Sequence, residues 1–305
     1  MTRHPTHRTR CTPGRGAGVA SALPGRALRG VVLTVLFLAT ACAQRPAQPT
    51  LPLAALLPAD AVLLGEQHDA PDHQNLAYQA VQALHAQPGL AALVLEMAEA
   101  GHSTQGVSPQ ATPEQVRAAL QWSPAAWPWA TYEAVVMTAV RSGVPVLGGN
   151  LPRSELRPAM QDAGLDSLLP ESVWQAQQDA IRIGHCDLLP SSQLRPMARV
   201  QVARDRALAR VLAGAVQPGR AVLLLAGRGH VDRELGIPRH LPPGLRVRTV
   251  ALGDAGPTPA SFDAVWPARP APTTDHCAQL RAQWSSVPPA SPPVSSPSAP
   301  SAGRP

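Results

Sequence analysis

Residues 61–69, AVLLGEQHD, join a short apolar run to a cluster of polar residues, and a glycine marks the junction. Residues 221–230, AVLLLAGRGH, show the same arrangement much later in the chain. Apolar runs of this length between turn residues are typical of β-strands that are buried on both faces. In both stretches a histidine follows the glycine by three positions: His68 follows Gly65, and His230 follows Gly227.

Three further apolar runs have the same character, at residues 91–96, 145–149 and 245–252. Segments with helical periodicity separate the runs, at residues 73–86, 112–120, 129–141, 171–183 and 194–216. This alternation predicts an α/β fold with a mostly parallel central sheet flanked by helices. Residues 156–193, between the third and fourth strands, are predicted to form a helical insertion or cap.

Polar side chains gather where the predicted strands end. Glu66 and His68 follow the first strand, Glu96 closes the second, and Arg228 and His230 follow the fourth. Open α/β sheets bind ligands beyond the carboxyl ends of their strands. We therefore expect His68, Glu96 and His230 to face one cavity. There, together with Glu66, they can hold a divalent metal or perform acid–base chemistry.

Arg204 and Asp205 lie in the last predicted helix, beside its apolar stripe. We expect them to form a buried or half-buried pair. The alternative is that they support the cluster at the strand ends.

The net charge of +6 comes from the first 41 residues. Six of the 26 arginines precede Cys42 and no acidic residue does, so the rest of the chain carries 20 arginines and 20 acidic residues. This distribution argues against nucleic acid as a partner. The sequence contains no lysine, which excludes catalysis by a Schiff-base lysine or a P-loop lysine.

Residues 1–41 have the features of a signal peptide. Arg29 precedes the apolar run VVLTVLFLA at 31–39, which is too short for a permanent transmembrane helix of roughly 20 residues. The sequence ATAC at 39–42 resembles a bacterial lipobox, so Cys42 is the predicted lipidation site; a plain signal peptide is the alternative. Lipidation predicts an anchored protein of the cell envelope, at the periplasmic face of the outer membrane.

Proline-rich segments flank the predicted domain, residues 57–285. Residues 42–56 predict a flexible tether, and residues 286–305 are expected to be disordered because they can bury little apolar surface. The domain keeps two cysteines, Cys186 and Cys277. An oxidising envelope favours a disulfide between them, with two free thiols as the alternative.

Six motifs follow one another along the domain: GEQHDAPDHQ at 65–74, LVLEM at 93–97, PVLGGNLPR at 145–153, QDAIRIGHC at 178–186, QVARD at 201–205 and LLLAGRGHVDRELGIPRHL at 223–241. Together they resemble the ChaN family of haem-binding uptake lipoproteins, within the Tiki superfamily. The resemblance covers residues 57–277 and implies that haem is the cofactor and that the protein serves iron acquisition.

Haem binding requires an axial iron ligand and partners for the propionates. A tyrosine oxygen suits ferric iron, and the chain has only Tyr78 and Tyr132. Tyr132 follows a tryptophan-rich segment and is the predicted ligand; Tyr78 or a histidine is the alternative. Arg153 and Arg228 are the predicted propionate partners, because a guanidinium group fits a carboxylate. Haem held between two copies would make the protein a homodimer.

The paired glycine–histidine pattern with a glutamate is also similar to the Tiki metalloproteases and the erythromycin esterases. That resemblance implies a metal-dependent hydrolase in which His68, Glu96 and His230 activate water, with Mn, Co or Zn as the metal. Haem binding is the first hypothesis, because the resemblance to ChaN extends over nearly the whole domain.

Overall fold

The structure is a computed structural model that describes residues 51–87, 89–254, 261–270 and 275–286. The predicted signal peptide, Cys42, residues 42–50 of the tether and residues 287–305 of the tail lie outside the described residues. In the described part of the chain, no helix combines the length and the hydrophobicity that spanning a bilayer requires.

The centre of the fold is a six-stranded sheet in which every pairing is parallel and the strand order is β3-β2-β4-β1-β5-β6. The strands are β1 (Ala61–Glu66), β2 (Leu90–Glu99), β3 (Val146–Asn150), β4 (Ala221–Gly227), β5 (Val247–Leu252) and β6 (Ala264–Trp266). The predicted α/β class is confirmed. The five predicted strands correspond to β1–β5, whereas the three-residue strand β6 has no counterpart among them.

Helices connect and cover the strands. Within the described residues they are α1 (Pro71–Ala86), α2 (Pro113–Ala119), α3 (Trp129–Arg141), α4 (Arg153–Gln161), α5 (Glu171–Gly184), α6 (Ser191–Ala215), α7 (Arg228–Val231) and α8 (His276–Ser286). Local sequence explains several helix starts. The side chain of Thr112 caps α2 in a reciprocal capping box with Gln115, and a proline opens both α1 and α2.

The core has two main layers, one on each face of the sheet. Alternate strand residues point to opposite faces, so Val62 and Leu64 pack towards α1 and α3, whereas Ala61 and Leu63 pack towards α6. The predicted helical insertion is present between β3 and β4. It buries a separate small core around Trp174, together with residues of α6, and so forms a cap beside the carboxyl end of the sheet.

Candidate functional site

Adjacent strands bring the predicted polar cluster together. Strands β2, β4 and β1 are neighbours in the sheet, and Glu66 at the end of β1 lies opposite Gly227 at the end of β4. Glu66, His68, Glu96 and His230 therefore line a single cavity of about 790 Å³, which we call the large cavity. This is the common cavity that the strand-end pattern predicts.

Glu96 stands at the centre of the cluster. The backbone N–H of Gly227 donates to its Oε2 at 2.7 Å. His230 Nε2 lies 3.5 Å from Glu96 Oε1, and His68 Nε2 lies 3.8 Å from Glu96 Oε2. A Cβ atom at Gly227 would come within 3.0 Å of His68 Nε2. Glycine at this position thus leaves the room that the imidazole of His68 occupies.

The Nδ1 atom of each imidazole contacts a further carboxylate, a different one for each histidine. His230 Nδ1 lies 2.6 Å from Asp205 Oδ1, and His68 Nδ1 lies 2.8 Å from Glu66 Oε1. Asp205 projects from α6 and is buried. In the described residues Arg204 forms no ion pair within 4.0 Å, although its charge partly offsets the burial that raises the pKa of Asp205. Asp205 contacts His230 of the site, which corresponds to the alternative that the sequence left open for this pair.

The Tyr132 hydroxyl donates to Glu66 Oε1 at 2.6 Å, and Gln74 Nε2 donates to Glu66 Oε2 at 2.9 Å. The side chain of Tyr132 is 1% exposed. Burial, together with the neighbouring Glu66 carboxylate, raises the pKa of Tyr132 far above its usual value. A buried phenol that keeps its proton and gives its hydrogen bond to a carboxylate is poorly placed to ligate iron. The geometry therefore argues against the predicted role of Tyr132.

Glu96 and His230 carry opposite charges at neutral pH. Burial alone would raise the pKa of Glu96, but His230, His68 and the N–H of Gly227 together hold it well below its usual value. Burial likewise opposes the charge of His230, yet Glu96 and Asp205 raise the pKa of His230 to about 10. Burial raises the pKa of Asp205 to about 6 in spite of His230. The arrangement is thus an ionised glutamate facing a protonated imidazole within one cavity.

The predicted divalent-metal site is not found. Among the residues that the structure describes, no group of three or more histidine, cysteine or carboxylate side chains is arranged to hold a metal ion.

Two smaller cavities hold the other candidate residues. A groove of about 470 Å³ between α1 and α3 is lined by Tyr78 and adjoins the large cavity at His68 and Asp69; we call it the tyrosine groove. A third cavity of about 380 Å³ is lined by Arg153. Arg228 lines the large cavity and donates to the backbone carbonyl of Asp254. The two predicted propionate partners are therefore in different cavities.

The cap and the C-terminal helix complete the large cavity. Cys186 and Cys277 form a disulfide, which joins the end of α5 to α8. From α8, His276 and Gln279 reach the cavity wall, and Gln177 of α5 lines it as well. The sequence pattern points to none of these three, since each comes from a segment without a strand-end signal. Gln74, in contrast, lies inside the motif at 65–74.

The fold and the cavities define an α/β ligand-binding protein whose site lies at the carboxyl edge of a parallel sheet. A family model described as haem-binding uptake, Tiki superfamily, ChaN matches residues 53–241, which is more than half of the chain. The chain belongs to the ChaN family of haem-binding uptake proteins.

Among solved structures, the chain is similar to ChaN of Campylobacter jejuni, which is described with cofacially bound haem. The two are 28% identical, the match covers 66% of this chain and 84% of that one, and the TM-score is 0.55. A Bacillus cereus protein matches with 14% identity and a TM-score of 0.34, covering 68% of this chain and 70% of that one. No curated protein matches the chain.

Proposed function

We propose that this protein binds haem in the tyrosine groove, with Tyr78 as the iron ligand, and that it serves haem-iron uptake. The observation that carries the proposal is an accessible tyrosine in an exposed groove of a ChaN-family protein. It is supported by the solved Campylobacter relative, which binds haem.

Tyr78 suits the role better than Tyr132 for two reasons. Its side chain is half-buried and lines the groove, whereas Tyr132 is enclosed in the core. Its hydroxyl accepts a hydrogen bond from Gln82 Nε2 at 2.9 Å, whereas the hydroxyl of Tyr132 donates to the Glu66 carboxylate. These are the only two tyrosines of the chain, so they form a matched pair for testing.

The walls of the groove fit a flat apolar ligand. Pro71, Ala130 and Ala134 contribute small apolar surfaces beside Tyr78. Arg228 remains the candidate propionate partner, because it lines the large cavity that adjoins the groove. Arg153 does not line either of these two spaces.

An open groove covers one face of a haem and leaves the other face to water. The Campylobacter relative is described with cofacially bound haem. In this protein, a second copy of the chain would cover the exposed face. We therefore infer a haem-dependent homodimer. Size measurement by light scattering, with and without hemin, tests this inference; a monomer under both conditions contradicts it.

The predicted location completes the proposal. The lipobox-like sequence ahead of Cys42 supports a lipid anchor, which would hold the haem-binding domain on the outer membrane at its periplasmic face. Labelling with radioactive palmitate tests this directly: the label should appear in the wild type and vanish in Cys42→Ser. Label retained in Cys42→Ser, or absent from both, contradicts the anchor.

Hemin titration of the purified protein tests haem binding. The wild type and Tyr132→Phe should both give a saturable shift of the Soret band, while Tyr78→Phe should bind hemin weakly or with an altered spectrum. Circular dichroism of the two variants checks that each is folded. A wild type without a saturable shift contradicts the proposed function, and unchanged binding by Tyr78→Phe contradicts the ligand.

A second candidate function is hydrolysis in the large cavity by acid–base catalysis. One observation favours it: the ionised Glu96 faces the protonated His230, whose far side is fixed by Asp205. Glu96 would accept a proton from water as the water oxygen attacks the carbonyl carbon of the ester. The C–O bond to the alcohol would then break, and His230 would donate a proton to the departing oxygen. Turnover of activated esters that is lost in Glu96→Gln would support this function, whereas equal turnover by both proteins would contradict it.

A further inference from the structure

The third cavity contains two arginines that form no direct ion pair in the part of the chain that the structure describes. Arg153 and Arg204 both line it, and in the described part of the chain neither forms a hydrogen bond or an ion pair within 4.0 Å. Other arginines near the cap are paired: Arg195 and Arg199 both reach Asp166. The third cavity is thus lined by two cations without a direct ion-pair partner among the described residues, although the charge of Arg204 also acts on the nearby Asp205.

Arg204 is the more informative of the two. It is half-buried, and its Nε is buried without an acceptor in the described residues. An enclosed donor that lacks a partner is costly, and the cost is greater for a charged group. An anionic ligand in the cavity would remove this cost, because a guanidinium group binds a carboxylate through two parallel hydrogen bonds. Arg204 also lines the large cavity, so a ligand held there is adjacent to Glu96.

We propose that the third cavity binds a small organic carboxylate through Arg204 and Arg153. Its volume of about 380 Å³ lies within the range of small-molecule sites. Trp127, Leu151 and Leu156 supply apolar surface for the body of such a molecule. The ligand is thus a carboxylate with an apolar body.

The glutamates that line the third cavity favour a ligand with a single negative charge over a ligand that is a dianion. Glu96 and Glu99 also line it, although neither lies within 4.0 Å of Arg153 or Arg204. Two carboxylates facing the same space repel a phosphate dianion more than a carboxylate. Inorganic phosphate is therefore a useful competitor to test against a carboxylate.

Benzoate is a suitable probe, with benzyl alcohol as its uncharged analogue, in calorimetric titrations of the purified full chain. The wild type should bind benzoate at least about ten-fold more tightly than benzyl alcohol, the size of effect expected for a charge-assisted hydrogen bond. Arg204→Gln and Arg153→Gln should each lose most of this difference. Arg157→Gln is the matched control, because Arg157 is exposed on the same helix as Arg153 and does not line the cavity.

Two sources could supply the carboxylate, a propionate of bound haem or a separate small molecule. If hemin-loaded protein no longer binds benzoate, a propionate occupies the site; if binding is unchanged, the ligand is separate. Both results support a carboxylate site. Equal binding of benzoate and benzyl alcohol, tighter binding of phosphate, or wild-type affinity in both arginine variants would overturn it.

The surface position of Arg153 keeps the test valid if Arg204→Gln fails to fold. The benzoate titration uses haem-free protein, so its outcome does not depend on the proposed haem site. A failure of haem binding and a failure of carboxylate binding are therefore separate results.

Discussion

The disulfide between Cys186 and Cys277 should contribute much of the stability of this domain. The two cysteines are 91 residues apart, and the chain between them includes α6, β4 and β5 of the central layers. A cross-link lowers the entropy of the unfolded chain according to the length of the loop that it closes. For a separation of 91 residues the loop-entropy relation gives about 4.6 kcal/mol.

The perturbation is the double variant Cys186→Ser/Cys277→Ser, studied by urea unfolding and circular dichroism. The free energy of unfolding should fall by about 4.6 kcal/mol, with little change in the native spectrum, because most of α8 is exposed. The corresponding loss in melting temperature is roughly 9–18 °C for a domain of this size. Wild-type protein unfolded under reducing conditions is the control and should behave like the double variant.

A loss of less than about 1 kcal/mol would refute the loop-entropy account for this bond. Different midpoints for the reduced wild type and the double variant would also refute it, since the two chains then differ by more than the cross-link.

The other predictions concern His230 with its partner Asp205, and two glycines that lie close to His230 in the sequence. Because the pKa of His230 is raised above its unfolded value of about 6.5, its stabilising contribution is complete below that pH and is lost as the pH rises through about 10. Asp205→Asn should cost about 1–3 kcal/mol at pH 7 and move this loss to lower pH; urea unfolding across that pH range would contradict the pairing if both profiles coincide. Gly236→Ala should destabilise by about 3 kcal/mol or more, because a Cβ there meets the His230 carbonyl oxygen. Gly229→Ala should change the free energy of unfolding by less than about 1 kcal/mol, because a Cβ added at Gly229 meets no other atom within 4 Å. Equal effects of the two substitutions would contradict the close contact at Gly236.

The fold was largely predictable because burial on both faces leaves a readable pattern. A strand covered by helices on both sides must be apolar at every position, and β1 and β4 are almost entirely so. Strand β6 has three residues, including the exposed Val265, and carries no such pattern. Helix α8 is mostly exposed and is joined to the cap by its cysteine, so an apolar stripe does not mark it.

Only the part of the site that is formed by residues at the strand ends was predictable from the sequence. Glu96 and His230 come together because parallel strands end at one edge, a rule that requires no knowledge of the side chains around them. The partner of Asp205 depends on how α6 lies across the sheet, which the helical period alone does not fix. The same limit applies to Tyr132: its nearness to tryptophans in sequence does not reveal that its hydroxyl points inward at Glu66.

The most direct test of the account is the resonance Raman spectrum of the ferric haem complex in the two tyrosine variants. An iron–phenolate vibration should be present in the wild type and in Tyr132→Phe, and absent from Tyr78→Phe. A vibration that persists in Tyr78→Phe and disappears in Tyr132→Phe would contradict the assignment of the haem to the groove between α1 and α3.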